Sequence, residues 1–317
     1  MEISVVIPNY NGEKYIKNCL ISLFNQSLKP DEIIIVDNNS SDKSVEIIEE
    51  FKEKVTLVKL NTNKGFSVAV NEGIKRAKSE FVALLNNDTE LDKEWLQQLY
   101  LAINKDENIF SCCSKMLRYD NRNIIDDVGD EYNILGWATK TGDGKNSSDY
   151  VEDRYIFSSC AGAAIYRRKI FDEIGLFDEN FFAYYEDVDI SYRANIYGYK
   201  NLFASKAIVY HIGSASSGSR HNDFKVRLAA RNNIYLIYKN MPLWQRVVNF
   251  LFLLFGIIIK WMFFTIKGMG KTYIKAIIEG IKTRKIVDKV RVKGNKKIYW
   301  NIEGRLFLNL LNLLKRG

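Results

Sequence analysis

The sequence predicts an α/β fold in which helices cover both faces of a mostly parallel sheet. Strand-like apolar runs alternate with helical patterns through the first hundred residues, at 3–7, 33–36, 55–58 and 81–85. These runs are nearly continuous instead of alternating with polar residues, which is typical of parallel strands buried on both faces. Sheets of this kind bind nucleotides where strand ends meet helix N-termini. After residue 240 the chain becomes basic and apolar, which predicts a separate helical tail.

Charge is unevenly distributed along the 317 residues. Residues 1–220 hold 26 Lys or Arg and 34 Asp or Glu, a balance of −8, whereas residues 221–317 hold 20 and 4, a balance of +16. The tail is therefore where an anionic partner is expected to bind. The four cysteines lack CxxC spacing, and a strand pattern follows Met1 directly. This predicts an intracellular, reduced protein without a signal peptide or structural zinc.

Chemically reactive side chains occur at the ends of the predicted strands and beside them. They are Asp37 after the second strand, Asn86, Asn87 and Asp88 after the fourth, His211 after Ala207–Tyr210, and Glu186 and Asp187 within FFAYYEDVDISYR. Each has a structural alternative: the aspartates can cap turns or helices, the histidine can be half-buried, and the acids can begin a solvated helix. Because the carboxyl ends of parallel strands meet at one edge of a sheet, their coincidence predicts a ligand site there.

The segment 118–154 is polar and rich in Gly, Asp and Asn. It is too long for an ordinary connection, so we expect a functional loop or lid. A strand pattern returns within 156–170, where small residues at 161–164 allow a close approach.

Seven blocks occur in an order that resembles glycosyltransferase family 2: VVIPNYNG, IIIVDNNSSD, NKGFSVAVNEG, LLNNDTEL, CAGAAIYRR, EDVDISYR and YHIGSAS. The resemblance covers residues 1–240 and is nearest to the rhamnosyltransferase-like and galactofuranosyltransferase-like branch. It implies the GT-A fold, with a nucleotide-binding half at 1–110, an acceptor half at 111–240, and the tail at 241–317. It also implies sugar transfer from a UDP- or dTDP-sugar, with dTDP-rhamnose as one candidate donor in this branch, and with inversion at the anomeric carbon and a divalent metal, Mn²⁺ or Mg²⁺.

The resemblance also implies roles for individual residues. Those implied to line the nucleotide are Pro8, Asn9, Tyr10, Asp37, Asn63, Lys64, Gly65, Asn86 and Asn87, with Asp37 on the base. Asp88 matches the metal-binding aspartate of the family's DxD motif, and His211 matches its later imidazole ligand. Asn86 replaces the first acid of that motif, which removes one charge from the site. Asp187, next to Glu186, matches the catalytic base.

These residue types suit that chemistry. A sugar nucleotide leaves as a diphosphate, and a divalent cation neutralises the charge that develops on it. A carboxylate and an imidazole suit Mn²⁺ at least as well as Mg²⁺. Inversion needs a base that takes the proton of the acceptor hydroxyl, and an aspartate beside another acid tends toward a raised pKa. Trp137 is the candidate for stacking on an acceptor sugar, with anchoring of its own segment as the alternative.

Two other functions would use similar features. A sugar nucleotidyltransferase needs a phosphate loop of GGxGxR type after its first strand, where this chain has PNYNGEKY. A non-catalytic nucleotide-binding scaffold could dock through the tail to a membrane or to nucleic acid, since NKKIYWN interleaves aromatics with lysines. The stretch GMGKT at 268–272 is not a P-loop, because Thr265 stands where the first glycine is required. We expect no nucleic-acid partner.

The run Val247–Ile266 is largely apolar, and as one helix it would be roughly 30 Å long, enough to cross a bilayer. Residues 267–317 carry 14 Lys or Arg and 3 Asp or Glu, and such segments stay cytoplasmic. We therefore expect peripheral or monotopic attachment, interfacial or re-entrant, to the cytoplasmic face of an anionic cell membrane, aided by a closing helix at 305–314. This suits a lipid-linked saccharide acceptor in cell-surface polysaccharide synthesis. A buried helix at a homo-oligomer interface is the alternative.

Overall fold

The computed structural model describes residues 2–213, 222–290 and 296–316, so the end of the YHIGSAS block, at 214–216, lies outside it. Its strands are β1 Ile3–Asn9, β2 Glu32–Asp37, β3 Thr56–Lys59, β4 Phe81–Leu85, β5 Thr89–Leu91, β6 Ile109–Arg118, β7 Ile125–Asp127, β8 Asp130–Tyr132, β9 Ala138–Lys140, β10 Arg154–Ile156, β11 Ala163–Arg167 and β12 Lys200–His211. Its helices are α1 Ile16–Phe24, α2 Ser44–Glu49, α3 Phe66–Arg76, α4 Trp95–Ile103, α5 Phe171–Ile174, α6 Glu186–Tyr197, α7 Asp223–Asn240, α8 Leu243–Val248, α9 Phe250–Ile266, α10 Gly270–Thr283 and α11 Lys296–Arg316. Short 3-10 turns lie at Ser147–Asp149, Arg168–Ile170, Glu179–Phe181 and Arg284–Ile286.

Ten of these strands form one mixed sheet. Its order is β10-β12-β6-β11-β4-β1-β2-β3, with β5 paired to β12 and β7 paired to β6. Strands β1 to β4 run parallel, whereas β11 runs antiparallel to β4 and β6. The predicted α/β class with a central sheet is confirmed, and β4 has the predicted bounds. The predicted boundary between residues 110 and 111 falls inside β6, so the two halves share this sheet.

Apolar side chains cover both faces of the sheet. On one face, α1 and α4 contribute Ile16, Leu20, Leu23, Trp95 and Leu99 to the core. On the other face, α3 and α6 contribute Val70, Ile74, Ile190 and Ala194. Burial on both faces explains why β1, β2 and β4 are almost wholly apolar.

The segment 118–154 is folded into the body, which corrects the prediction of a long loop. It provides β7, β8 and β9 and buries Ile125, Val128 and Tyr132. Strand β7 pairs with β6, while β8 and β9 pair with each other as a hairpin. Burial of these apolar side chains stabilises the segment and fixes the side chains that it carries toward the sheet edge.

The apolar run 247–266 is divided between two helices, so the single long helix considered above does not form. Asn249 lies between α8 and α9, is fully buried, and donates from Nδ2 to Oε2 of Glu303 in α11 at 3.0 Å. A buried amide needs such a partner, and this one ties the break to the last helix. Among the helices in the described ranges, none is both long and apolar enough to span a membrane.

The tail packs against the body. Helix α11 buries Ile302 and Leu306 in a cluster that includes Tyr132 and Phe157. The Nδ2 group of Asn309 also donates to the Tyr132 carbonyl at 2.9 Å. Helix α10 packs along α7 through Tyr273, Ala276 and Ile277. The outer surfaces of α8 and α9 are instead rich in exposed apolar side chains.

Candidate active site

A cavity of about 990 Å³ opens at the carboxyl edge of the parallel strands and extends to the N-terminus of α6. The predicted site residues that line it are Pro8, Asn9, Tyr10, Asn63, Gly65, Asn86, Asn87, Asp88, Glu186, Asp187 and His211. Asp37, Lys64 and Trp137 were also predicted for the site and do not line it. The structure therefore brings together most of the predicted nucleotide, metal and catalytic residues.

An amide network orders the strand ends on the predicted nucleotide side. Asn9 is fully buried and donates from Nδ2 to Oδ1 of Asp37 at 2.8 Å, and its own Oδ1 accepts from Nδ2 of Asn87 at 2.7 Å. Oδ2 of Asp37 accepts from the backbone N–H of Ser40 at 3.0 Å. The Asp37 carboxylate thus holds its own turn, as the structural alternative proposed, and a contact with a nucleobase stays a prediction.

Asn38, which was not predicted as a site residue, connects β2 to the loop before α3. Its Nδ2 group donates to Oδ1 of Asn63 at 2.9 Å and to the carbonyl of Gly65 at 3.1 Å. Its Oδ1 accepts from the backbone N–H of Lys64 at 2.8 Å, while the Lys64 side chain is exposed. This amide shapes the loop at 63–65, and it lines the cavity itself.

Antiparallel pairing of β5 with β12 brings Asp88 and His211 together. The register places Thr89 beside His211, and the backbone N–H of Ile212 donates to the Asp88 carbonyl at 3.1 Å. The side chains then meet at the cavity wall, with 3.4 Å between Nε2 of His211 and Oδ1 of Asp88. Strand β5 is the short element that makes this pairing.

Asp126, from the segment 118–154, holds the other side of the His211 ring. Nδ1 of His211 lies 2.7 Å from Oδ2 of Asp126, which leaves Nε2 facing Asp88. Burial alone would lower the pKa of His211, but the bonds to the two carboxylates outweigh it and raise the pKa to about 9. Nζ of Lys140 in β9 lies 3.6 Å from Oδ1 of Asp126 and 3.5 Å from Oδ2 of Asp127. The paired aspartates at 126 and 127 were a signal for this cluster.

The side chains of Asp88 and His211 are suited to bind one divalent cation, with the remaining ligands supplied by a substrate. Their donor atoms are a carboxylate oxygen and an imidazole nitrogen, both suited to Mn²⁺ or Mg²⁺, and the two are close enough to bind one ion. A carboxylate behind the ring, as Asp126 provides, is the usual support of a metal-binding histidine. The described ranges contain no group of three or more His, Cys, Asp or Glu arranged to hold a metal by themselves. Phosphate oxygens or water would have to complete the coordination.

Helix α6 presents Glu186 and Asp187 to the cavity from its first turn. Glu186 is 7% exposed, its Oε2 has no hydrogen-bond partner within the described residues, and burial raises its pKa well above the usual range. Burial likewise raises the pKa of Asp187, to about 6, although Oδ1 accepts from the Val188 N–H at 2.8 Å. Asp187 is therefore ionised near neutral pH yet basic enough to accept a proton.

Asp189, the third acid of the sequence EDVD at 186–189, has a structural role and not a catalytic one. It is fully buried and forms ion pairs of 3.0 Å with Arg193 and with Lys239. Burial alone would raise its pKa, but Lys239 and Arg193 outweigh that effect and lower it. These ion pairs occupy the Asp189 carboxylate, which does not line the cavity, so Asp189 is not placed to transfer a proton there.

Trp137 contacts the tail. Its indole N–H donates to the Gly256 carbonyl of α9 at 3.1 Å, and Lys260 lies over the ring at 5.6 Å. Trp137 lies in the turn of the β8–β9 hairpin, while Asp130, Ala138 and Lys140 of the same hairpin line the cavity. The geometry matches the anchoring alternative.

Comparison with known families decides the class of the protein. The family model described as Glycosyl transferase family 2 matches residues 4–175, more than half of the chain. The chain belongs to glycosyl transferase family 2. This confirms the family resemblance, while the rhamnosyltransferase-like and galactofuranosyltransferase-like branch stays a prediction.

One relative of this family 2 chain matches over almost its full length. It is the dolichyl N-acetyl-alpha-D-glucosaminyl phosphate 3-beta-D-2,3-diacetamido-2,3-dideoxy-beta-D-glucuronosyltransferase of Methanococcus voltae, 27% identical over 319 residues, which cover 96% of this chain and 92% of the relative. The matches to two further curated relatives span only 33% and 52% of their lengths.

Two solved structures show the same fold. S. aureus TarS 1-349 in complex with UDP-GlcNAc has a TM-score of 0.57 at 23% identity, covering 89% of this chain and 81% of that one. The mannosyltransferase PcManGT from Pyrobaculum calidifontis, in complex with GDP-Man and Mn²⁺, has a TM-score of 0.57 at 13% identity, covering 96% and 79%.

Proposed function

We propose that this family 2 chain is an inverting, metal-dependent glycosyltransferase that moves a sugar from a UDP- or dTDP-sugar to a saccharide acceptor. One observation carries the proposal: a single cavity joins Asp88 and His211, a nucleotide-side amide network, and Asp187 at the start of α6. These are the parts that a direct displacement at a sugar carbon requires.

Different residues of the cavity carry out different parts of the reaction. Asp88 and His211 would hold the cation, which would neutralise charge on the departing diphosphate. Asp126 orients His211, and the amides at 9, 38, 63 and 87 shape the nucleotide side. Asp187 takes the proton of the attacking acceptor hydroxyl as the new bond forms and the bond to the diphosphate breaks. Attack from the side opposite the diphosphate inverts the anomeric centre.

The relatives support the choice of donor, metal and acceptor. TarS was solved with UDP-GlcNAc and PcManGT with Mn²⁺, which supports a nucleotide-sugar donor and a divalent cation. The name of the Methanococcus relative contains a dolichyl phosphate sugar, which supports a lipid-linked saccharide acceptor. Matches to poly(ribitol-phosphate) glycosyltransferases of Bacillus spizizenii and Staphylococcus aureus support a role in cell-surface polymer synthesis. The branch resemblance adds dTDP-rhamnose to the donors worth testing.

We propose that residues 241–317 attach the protein to the cytoplasmic face of an anionic membrane, and two features of this tail support the proposal. Leu251 and Ile266 are 73% and 87% exposed on α9, and Nζ of Lys267, the residue after this helix, lies 5.1 Å from the ring centre of Phe263. Apolar side chains that enter the headgroup region and cations that meet anionic lipid are the two parts of interfacial binding. Contact between two copies through the same surface is the alternative outcome.

The test is nucleoside diphosphate release from a panel of UDP- and dTDP-sugars, with Mn²⁺ or Mg²⁺ and with EDTA. The proposal expects metal-dependent release of the diphosphate and an inverted product when a saccharide acceptor is present. Release of pyrophosphate from a nucleoside triphosphate and a sugar phosphate would instead identify a nucleotidyltransferase. Nucleotide binding without any turnover across the panel would identify a scaffold.

A further inference from the structure

The backbone that leads into α6 has a rare conformation. Phe182, Tyr184 and Tyr185 have φ values of 64°, 69° and 71°. This left-handed region is costly for residues that carry a Cβ, so the surrounding structure must hold them there. Tyr185 directly precedes Glu186 and Asp187, so this segment, residues 182–185, sets the direction in which both acids enter the cavity.

Asn232 of α7 holds that segment from one side. Its Nδ2 group donates to the carbonyls of Phe181 at 2.8 Å, Ala183 at 2.9 Å and Tyr184 at 2.8 Å. An amide has two N–H groups, so one of them is shared between two carbonyls. Asn232 is fully buried and does not line the cavity.

The neighbouring Arg231 fixes the orientation of this amide. Its Nε and Nη2 groups donate to Oδ1 of Asn232 at 3.0 Å and 2.9 Å. Since the guanidinium can only donate, the amide oxygen must face it and the amide nitrogen must face the carbonyls. Asparagine is a poor residue for the middle of a helix such as α7, which indicates that its side chain serves another purpose there.

The first turn of α3 holds the segment from the other side. The carbonyl of Phe182 accepts from the backbone N–H groups of Phe66 at 2.6 Å and Ser67 at 3.3 Å. Gly65 has φ +87°, and a Cβ there would lie 2.5 Å from the Phe182 oxygen. The glycine of the predicted nucleotide loop is therefore required by the approach of the segment 182–185.

We propose that Asn232 is a positioning residue, which through the carbonyls of residues 181, 183 and 184 aims Asp187 at the acceptor hydroxyl. Within this segment the Phe182 carbonyl bonds to α3, and the carbonyls of Ala183 and Tyr184 bond to α7, so the segment is fixed between the two helices. Loss of the Asn232 donors leaves three carbonyls without this partner and lets the segment relax toward ordinary φ values. Asp187 then leaves its reacting position while Asp88 and His211 keep theirs. The inference rests on the proposed role of Asp187 as the base.

The test is Asn232→Asp, which keeps the shape of the side chain and removes its donors. Asn233→Asp is the matched control, because Asn233 is the next residue of α7, is also buried, and uses its Oδ1 to accept from the Tyr132 hydroxyl at 2.9 Å, which an aspartate can also do. We expect the turnover number for diphosphate release, on the fastest nucleotide sugar of the panel, to fall roughly 10- to 100-fold in Asn232→Asp. The affinity for UDP with Mn²⁺ should change less than about threefold, and Asn233→Asp should turn over like the unmodified chain.

A double variant separates positioning from a general loss of structure. Asn232→Asp should add little further loss to Asp187→Asn, because both changes act through one group. A full additional loss would overturn the proposal, as would an unchanged turnover number in the folded single variant. Should Asn232→Asp not fold, Asn232→Gln decides, since it keeps the amide but shifts its N–H groups by one methylene. The proposal expects reduced turnover there, and native turnover overturns it.

The outcome also distinguishes this inference from the proposed function. If Asp187→Asn keeps native turnover, the base assignment fails whatever Asn232→Asp does. If Asp187→Asn is slow and Asn232→Asp is native, only the positioning role fails.

Discussion

Nε2 of His211 lies 3.4 Å from Oδ1 of Asp88, and a backbone hydrogen bond of 3.1 Å from Ile212 to the Asp88 carbonyl holds the two residues together. Replacing Asp88 by an amide removes the anionic ligand of the cation, and replacing His211 by an amide removes its imidazole ligand. We therefore expect Asp88→Asn and His211→Gln each to weaken Mn²⁺-dependent UDP binding by at least about tenfold. Calorimetric titration of UDP with Mn²⁺ and with EDTA measures the effect. Glu94→Gln, which alters an exposed carboxylate, is the control, and unchanged affinity in both site variants would support a turn-capping role for Asp88.

Asp187 is expected to act on the rate and not on binding. Asp187→Asn removes the proton acceptor while keeping the shape of the side chain, so the turnover number should fall by roughly 10²–10⁴. The affinity for UDP and Mn²⁺ should stay close to that of the unmodified chain. Steady-state kinetics and calorimetry on the same preparation check both statements. Near-native turnover would transfer the role to Glu186, to be tested as Glu186→Gln.

The pH dependence of the rate follows from the same residue. Burial raises the pKa of Asp187 to about 6, and the base works only when it is ionised. Acidification through pH 6 protonates it, so kcat/KM should fall about tenfold per pH unit below that value and level off above about pH 7. Because Asp127 and Glu186 lie close, the apparent pKa belongs to the group of acids. A kcat/KM profile measured on the leading nucleotide sugar checks this, and a flat profile down to pH 5 would contradict it.

The early strands, and the polar residues at their ends that line the cavity, were predictable because each is encoded in a short continuous stretch of sequence. Continuous apolar runs ending in polar residues placed β1, β2 and β4 and pointed to Asp88, whereas Asp187 was named through the family resemblance. The strand β6 carries Ser111, Ser114 and Lys115 among its buried residues, which conceals it as a strand. Ser114 accepts from the Trp95 indole N–H at 2.7 Å, a partner that only the fold supplies.

The supporting residues could not be predicted, because their roles depend on contacts between distant segments. Asp126 reaches His211 only after the segment 118–154 folds against β6. Asn232 reaches the carbonyls before α6 only after α7 packs there. In the sequence, Asn232 appears as an ordinary polar residue, and Asp126 is marked only by its pairing with Asp127, which gives no indication of its partner His211. Asp37 differs from these two residues: the family resemblance implied a nucleotide contact for it, its carboxylate bonds to Asn9 and Ser40, and the contact with a nucleobase stays a prediction.

Trp137 is expected to stabilise the fold without binding the acceptor. Its ring packs against α9 and its N–H bonds the Gly256 carbonyl. Trp137→Ala should lower the free energy of unfolding by roughly 2 kcal/mol or more, and Trp137→Phe, which keeps a ring, by about 1 kcal/mol. Chemical denaturation measures both, and the Michaelis constant for a saccharide acceptor should not change. A raised constant in a variant of native stability would restore the stacking role.

The exposed apolar surface of α9 is expected to bind a membrane interface. Truncation near residue 240 is not a suitable test, because Leu306 of α11 is fully buried in a cluster with Tyr132 and its removal would open the body. The full chain with Leu251→Glu and Ile266→Glu is suitable, since both side chains are mostly exposed. If these residues enter a membrane interface, replacing them with carboxylates removes apolar burial and adds repulsion from anionic lipid.

Binding to phosphatidylglycerol-containing liposomes, measured by flotation, should therefore fall at least about tenfold in the double variant. Binding of the unmodified chain should also weaken at high salt, because the lysines of the tail contribute through charge. Leu101→Glu is the control, because Leu101 is 52% exposed on α4 of the body. If the unmodified chain fails to float with anionic liposomes and instead sediments as a dimer that the double variant dissociates, the surface is an interface between two copies.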